Sequence, residues 1–206
     1  MKVSARDFIA SDKLISSASD IIKNGGVLLS GTDTIYGFGA SVFSEKGIEK
    51  VRRIKNSPDD KSVLMIIPDR LWIERYFTGA EKPLKRLMEK FWPDNLTLLL
   101  PPKPSFPEYV APGSEFIGVR LVSYKPLVKL MQKMDMPLIS TSANISKIPY
   151  VHDSGLILSE FEKQVDVIIW EEISQKPPST VARFKGQEIE IIRQGAVTED
   201  EIKNTL

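Results

Sequence analysis

The sequence has no cysteine and one histidine, His152. The first absence excludes disulfides, thiolate zinc sites and cysteine nucleophiles together. The second leaves a serine triad a single candidate base, and no nucleophile setting surrounds it. His152 is therefore read as structural. Net charge is only +1, so the surface as a whole does not advertise nucleic acid. Any anion site must come from a local cluster. No uncharged apolar run approaches membrane-spanning length, and the start, Met1 to Asp7, has no apolar signal core. No membrane partner and a cytoplasmic location are expected. There is no Gly-x-x-x-x-Gly-Lys-Ser/Thr phosphate loop. Nor is there a dinucleotide fingerprint, since Val42 stands where the third glycine after Gly37-x-Gly39 should be. No His/Asp/Glu cluster shows ligand spacing, so no protein-held metal is expected.

What is present suffices for a full hydrophobic core. Apolar residues make up 42% and charged residues 27%, which places the chain among ordinary globular proteins. No repeat or linker divides it, and one domain over residues 1–206 is expected. The rest is organised around Gly31 to Gly39, Gly-Thr-Asp-Thr-Ile-Tyr-Gly-Phe-Gly, which follows the apolar run Val27-Leu28-Leu29. Glycines let a backbone turn sharply and approach a ligand, and short hydroxyls and a carboxylate supply rigid polar contacts. The same residues also suit a plain strand-to-helix turn in which Asp33 and Thr34 bond their own backbone.

Elsewhere the pattern alternates. Ser11 to Asn24 reads as a helix, with Leu14, Ile15, Ala18, Ile21 and Ile22 on one face and Gly25-Gly26 as its stop. Ser44 caps a second helix that ends in Arg52, Arg53 and Lys55, cations that also suit a helix C-terminus. Strands are expected at Val63 to Ile67, Leu96 to Leu100, Phe116 to Leu121, Pro137 to Ser140, Val165 to Trp170, Val181 to Phe184 and Glu188 to Arg193. Helical stripes are expected at Leu84–Phe91 and Leu127–Met134. The segment from Lys103 to Ser114 reads as a loop, and Thr198 with Glu201 forms a capping-box pattern. Helices alternate with strands early and strands crowd together late, which predicts α/β with a mixed, twisted sheet.

The chemistry on offer is hydroxyls at strand ends plus scattered cations. Thr32, Thr34, Ser140, Thr141, Ser142, Asn144, Ser179 and Thr180 follow or open apolar runs, and Lys55, Lys61, Arg120 and Arg193 are the cations able to join them. In α/β sheets ligands gather at the carboxyl ends of strands. Hydroxyls and cations without a base suggest phosphate or carboxylate binding followed by electrostatic catalysis. Each element alone is common turn chemistry.

Their succession is more specific. Thr32-Asp-Thr-Ile-Tyr-Gly37, Ile54-Lys55 with Pro58, Trp92-Pro93 with Leu96-Thr97, Gly118-Val119-Arg120, Ser140-Thr-Ser-Ala-Asn144, Ser179-Thr180-Val181 and Ile192-Arg193-Gln194-Gly195 occur in that order. The order resembles that of the YrdC family of threonylcarbamoyl-adenylate synthases over about residues 10–198. The resemblance implies a twisted mixed sheet flanked by helices, YrdC-like, with one large basic cavity. It implies an enzyme that joins L-threonine, bicarbonate and ATP, with magnesium, into threonylcarbamoyl-adenylate and pyrophosphate. A separate transferase then modifies tRNA, so tRNA is an indirect partner. This chain looks like the short, single-domain form.

Carried over position by position, the resemblance puts Thr34, Arg120, Ser142 and Ser179 at L-threonine. It puts Lys55, Lys61, Phe116, Ser140, Asn144, Tyr150 and Arg193 around ATP, with Phe116 and Tyr150 acting through backbone or stacking. No side-chain nucleophile is implied. There are departures: Ser57 stands where the family often has arginine, Ile66 where it has histidine, and Pro93-Asp94-Asn95 where Pro-Gly-Pro is usual. Ile66 is expected either to continue the core or to line the amino-acid pocket. The rival reading is a module that keeps the cavity and binds RNA or ribosomal particles without turnover. Its support would be Arg70, Arg75, Lys82, Lys85, Arg86 and Lys90, which Glu74, Glu81 and Glu89 interrupt. A third reading is a relative that adenylates another carbamate or acid.

Overall fold

A computed structural model of the chain describes residues 1–32, 35–58, 63–79, 82–172, 176–185 and 188–206. Thr34 and Lys61 lie outside the described residues. Among the described residues one mixed sheet of ten strands runs through the molecule.

The chain opens with a short edge strand, β1 (Lys2–Ser4), and a helix α1 (Ala5–Ala10). Helix α2 (Asp12–Lys23) follows, with the Ser11 hydroxyl accepting from the Leu14 N–H as its N-cap. Ile15, Ala18 and Ile22 are its buried face. Strand β2 (Leu28–Gly31) turns back into β3 (Tyr36–Ser41). Here the sequence reading is corrected. The glycine-rich stretch is not all loop, because Tyr36 to Ser41 is a fully buried strand at the middle of the sheet. Alternation explains it. Tyr36, Phe38 and Ala40 are buried in the hydrophobic core. Gly37 and Gly39 occupy the intervening positions, where neighbouring backbone comes close.

Helix α3 (Glu45–Lys55) is capped by Ser44, and its C-cap Asn56 is left-handed. Strand β4 (Leu64–Ile67) leads to α4 (Leu71–Tyr76) and α5 (Lys82–Phe91). The basic residues from Arg70 to Lys90 are thus divided between two helices. Strand β5 (Leu96–Leu100), a proline-rich loop and β6 (Ile117–Leu121) come next. After α6 (Lys125–Met134), strand β7 (Leu138–Ser142) extends two residues further than the pattern suggested. Helix α7 (Ser154–Phe161), β8 (Val167–Trp170), β9 (Thr180–Lys185), β10 (Glu188–Arg193) and α8 (Glu199–Lys203) complete the order.

The strands lie in the order β1-β8-β2-β3-β7-β4-β6-β5-β9-β10. Pairs β1–β8, β2–β8, β4–β6 and β5–β9 are parallel, and the other neighbours are antiparallel. Helix α2 packs on α6 and reaches β3 and β8. On the Phe38 side, Phe161 of α7 meets that ring edge-on, with centroids 5.0 Å apart. Ile66 is 2% exposed and belongs to the core.

Candidate active site

Register assembles the site. Gly37 of β3 lies opposite Ser142 of β7, Gly39 opposite Ser140, and Ser140 in turn opposite Leu64 of β4. Residues two apart on a strand share a face, so these strands present glycines beside serine hydroxyls on one side of the sheet. A Cβ built on Gly37 would stand 2.9 Å from the Thr141 carbonyl oxygen and 3.5 Å from Ser140 Oγ. Only glycine lets β3 lie this close to β7 while leaving space over the serines.

That space is a cavity of about 280 Å³. Arg120, Ser140, Ser142, Ser179 and Arg193, five of the residues assigned from sequence, border it together. Thr32, Ile35, Gly37, Val63, Leu64, Thr141 and Pro178 are the other described residues on its wall. None of those seven was assigned to a substrate from sequence, although Thr32, Ile35, Gly37 and Thr141 sit inside the quoted motifs. Leu64 had no polar signal that could have marked it. Thr32 also borders a larger open hollow of about 570 Å³ with Arg6, Lys125, Glu171 and Glu172, whose charges are mixed.

Several devices fix the wall. The Thr32 hydroxyl donates to the Ile35 carbonyl at 2.7 Å and accepts from the Ile35 N–H at 3.2 Å, closing the turn out of β2. Ser179 and Thr97 share a buried hydroxyl contact of 2.8 Å. Thr180, fully buried, accepts from the N–H groups of Gly195 and Val197 and donates to the Val197 carbonyl. This ties the start of β9 to the chain leaving β10. A Cβ on Gly195 would lie 2.3 Å from the Pro178 oxygen, so the contact needs glycine. Arg193 is anchored by the same region, its Nη2 donating to the Ser179 carbonyl at 2.8 Å. Partial desolvation of this otherwise exposed side chain, and after that the charge of Arg120, holds Arg193 below the ordinary guanidinium pKa.

Four assigned residues do not border this cavity. Lys55 is 5% exposed and lies under the β7 turn, donating to the Ser142 carbonyl, to the Asn144 carbonyl at 2.7 Å and to Asn144 Oδ1 at 3.1 Å. The expectation that Lys55 and Arg193 border one cavity is therefore corrected. Asn144 stands beside it, accepting from the Ser142 hydroxyl at 2.6 Å. Tyr150 instead accepts the Tyr36 N–H at 2.8 Å, pinning the entry to β3, and burial raises its phenol pKa. Phe116 lines a separate groove with Leu84, Pro101 and Phe184, with the Arg183 guanidinium 5.7 Å from its ring. Among the described residues no trio of His, Asp or Glu could hold a metal. The described residues of the cavity wall likewise offer hydroxyls and guanidiniums and no carboxylate set of a magnesium cage.

The Sua5/YciO/YrdC family model, described as “Telomere recombination”, matches residues 20–195. This chain belongs to that family. Its relatives within the family include a Methanocaldococcus jannaschii protein that carries the provisional name threonylcarbamoyl-AMP synthase. It is 32% identical over 186 residues, covering 90% of this chain and 87% of that one. The E. coli YciO structure is 26% identical with a TM-score of 0.80, covering 95% of this chain and 94% of that one. The structure of Pyrococcus abyssi Sua5 complexed with L-threonine shares the fold at a TM-score of 0.86 and 24% identity. This chain spans 95% of itself in that comparison but only 58% of the Pyrococcus protein. The mixed sheet flanked by helices is thus the family fold.

Proposed function

We infer that this protein is a threonylcarbamoyl-AMP synthase acting in tRNA modification. The observation that carries the reading is the convergence of two guanidiniums, Arg120 and Arg193, with the hydroxyl side chains of Ser140, Ser142 and Ser179 on one cavity. Of the three substrates of this activity, bicarbonate and ATP are anions, and zwitterionic threonine presents a carboxylate. Paired guanidiniums suit such groups because each offers a planar fork of donors.

In this reading Arg120 holds the threonine carboxylate. Ser142 donates its hydroxyl proton to Asn144, so its oxygen remains an acceptor for the substrate ammonium or hydroxyl. Thr34 and Ser179 complete the amino-acid side. Arg193, Ser140, Asn144 and Lys61 serve the nucleotide, and magnesium enters as the counter-ion of ATP. The threonine amine condenses with bicarbonate, losing water, to give a carbamate. A carbamate oxygen bonds to the α-phosphorus as the bond to pyrophosphate breaks. The protein's part is positioning and charge stabilisation. The adenylate then passes to a separate transferase that acts on tRNA.

The RNA-binding reading is less favoured because three of its six basic residues are already partnered by the protein's own groups. Arg75 makes a two-pronged pair with Asp135 at 2.6 and 3.1 Å, Arg86 donates to the Leu206 carbonyl, and Lys90 donates to Thr205. Mass spectrometry of the product decides between the readings. With ¹³C-bicarbonate and ¹⁵N-threonine, the expected product is an adenylate carrying both labels. An adenylate lacking the threonine label would point to a different acid substrate, and no adenylate would overturn the enzyme reading.

A further inference from the structure

Lys55 is the last residue of α3, and its position beneath the site is unusual for a phosphate-binding lysine. An ammonium has three protons and no acceptor. The carbonyls of Ser142 and Asn144 and the Asn144 Oδ1 supply three acceptors for them. The Phe38 ring lies 5.7 Å from the nitrogen on another side. The backbone of Lys55 holds the same turn, its carbonyl accepting the Ser146 N–H at 2.7 Å. Two residues on, Ser57 shares a hydroxyl contact with Ser146. The turn after β7 is therefore fastened at three points to the end of α3. Within the turn Ser142 Oγ donates to Asn144 Oδ1, and the Ala143 N–H ties it to β3 by donating to the Tyr36 carbonyl at 2.9 Å.

We propose that Lys55 is a positioning residue that shapes the threonine side of the cavity by holding the Ser142–Asn144 turn, and that it does not touch a nucleotide phosphate. The proposal rests on the threonine-and-ATP reading of the cavity. Its chemical logic is that carbonyls aimed at one point repel each other, and a buried cation at that point fixes them. With the ammonium in place, the Asn144 side chain is drawn toward Lys55 and receives the Ser142 proton. Without it, three acceptors face a void and the turn keeps only its ties through Ser146 and Ala143. The hydroxyl of Ser142 would then leave its place on the cavity wall. Ser57 belongs to the same device: it stands beside Pro58 and reaches the turn with a short hydroxyl.

The test separates this role from a phosphate contact by leaving the nucleotide out. L-Threonine alone is titrated into wild type, Lys55→Met and Ser57→Ala by calorimetry, with melting curves run alongside. Lys55→Met is expected to bind threonine about tenfold more weakly, the scale of removing one charge-assisted hydrogen bond. Ser57→Ala is expected to lose roughly two- to fivefold, as for a single neutral hydrogen bond. In turnover, the threonine KM of Lys55→Met should rise by about the same factor as the affinity falls, with kcat little changed. A merely structural role would instead lower kcat through loss of folded protein and leave KM alone. Should Lys55→Met fail to fold, Ser57→Ala carries the test by itself. Unchanged threonine affinity in the folded variants overturns the proposal. A wild-type chain that binds no threonine overturns the function reading first, which is a separate result.

Discussion

Arg193 stays exposed at the surface, but partial desolvation and then the charge of Arg120 hold it below its ordinary pKa, and both side chains border one cavity. Two like charges brought to one cavity repel each other, weakly where solvent screens them. A bound anion attracts both and offsets that repulsion. Arg193→Ala is therefore expected to weaken ATP binding by about 1.5–3 kcal/mol, the range for a hydrogen bond to a charged group. Arg193→Lys should also weaken it, since a point charge cannot copy a planar fork. Calorimetric titration with a non-hydrolysable ATP analogue checks both. Unchanged affinity in either variant would remove Arg193 from the nucleotide site.

Gly37 and Gly39 occupy the same face of β3 but differ in the space above them. At Gly37 an added Cβ would meet the Thr141 carbonyl at 2.9 Å, whereas at Gly39 the nearest atom is the Ile139 oxygen at 3.5 Å. Gly37→Ala should cost about 1–3 kcal/mol of stability, as overpacking does, and should reduce threonine binding because it fills the cavity wall. Gly39→Ala should lie near wild type. Thermal melts of the two variants check the contrast, and equal melting temperatures would contradict it.

Much of this fold was legible in the sequence because hydrophobic period and caps agreed with each other. Ser11, Ser44 and Thr198 cap the helices expected of them, and Leu96 to Leu100 is the strand expected. What was illegible follows from physical causes. Strand β3 looked like a loop because glycines carry no strand propensity, and their use appears only when β7 lies against them. The cavity wall was half legible: Arg120, Ser140, Ser142, Ser179 and Arg193 come from motifs far apart in sequence, and sheet register alone joins them. Lys55 was readable as a site cation but not as one that faces carbonyls, since nothing local shows where a turn 87 residues away will pass. The structural role of Tyr150 was hidden in the same way, because its partner is the Tyr36 backbone.

Asp166 offers a pH-dependent handle on the sheet edge. It takes the Lys50 ammonium at 2.7 Å and the Val27 N–H at 2.7 Å, joining α3 and the entry to β2 to the chain before β8. Burial pulls its pKa upward, but the Lys50 and Val27 hydrogen bonds and the Lys50 charge outweigh it, so the net shift is downward. A carboxylate with a depressed folded pKa stabilises above its unfolded pKa, and the stabilisation is lost as pH falls through the folded value. Wild type should therefore exceed Asp166→Asn in stability at neutral pH. The gap should close below about pH 4, the ordinary aspartate range. Urea melts at neutral and acid pH check it. A gap that stays constant across that range would show that the carboxylate charge is not what matters.

The proposed function requires one cavity to bring threonine, bicarbonate and ATP together. The most direct test is pyrophosphate release from ATP by the purified chain, with threonine and bicarbonate omitted in turn and valine offered in place of threonine. Release is expected only when threonine and bicarbonate are both present. Valine should be rejected strongly, because it leaves a site built for a hydroxyl with unpaired polar groups. Pyrophosphate released without threonine, or with valine as readily as with threonine, would contradict the account.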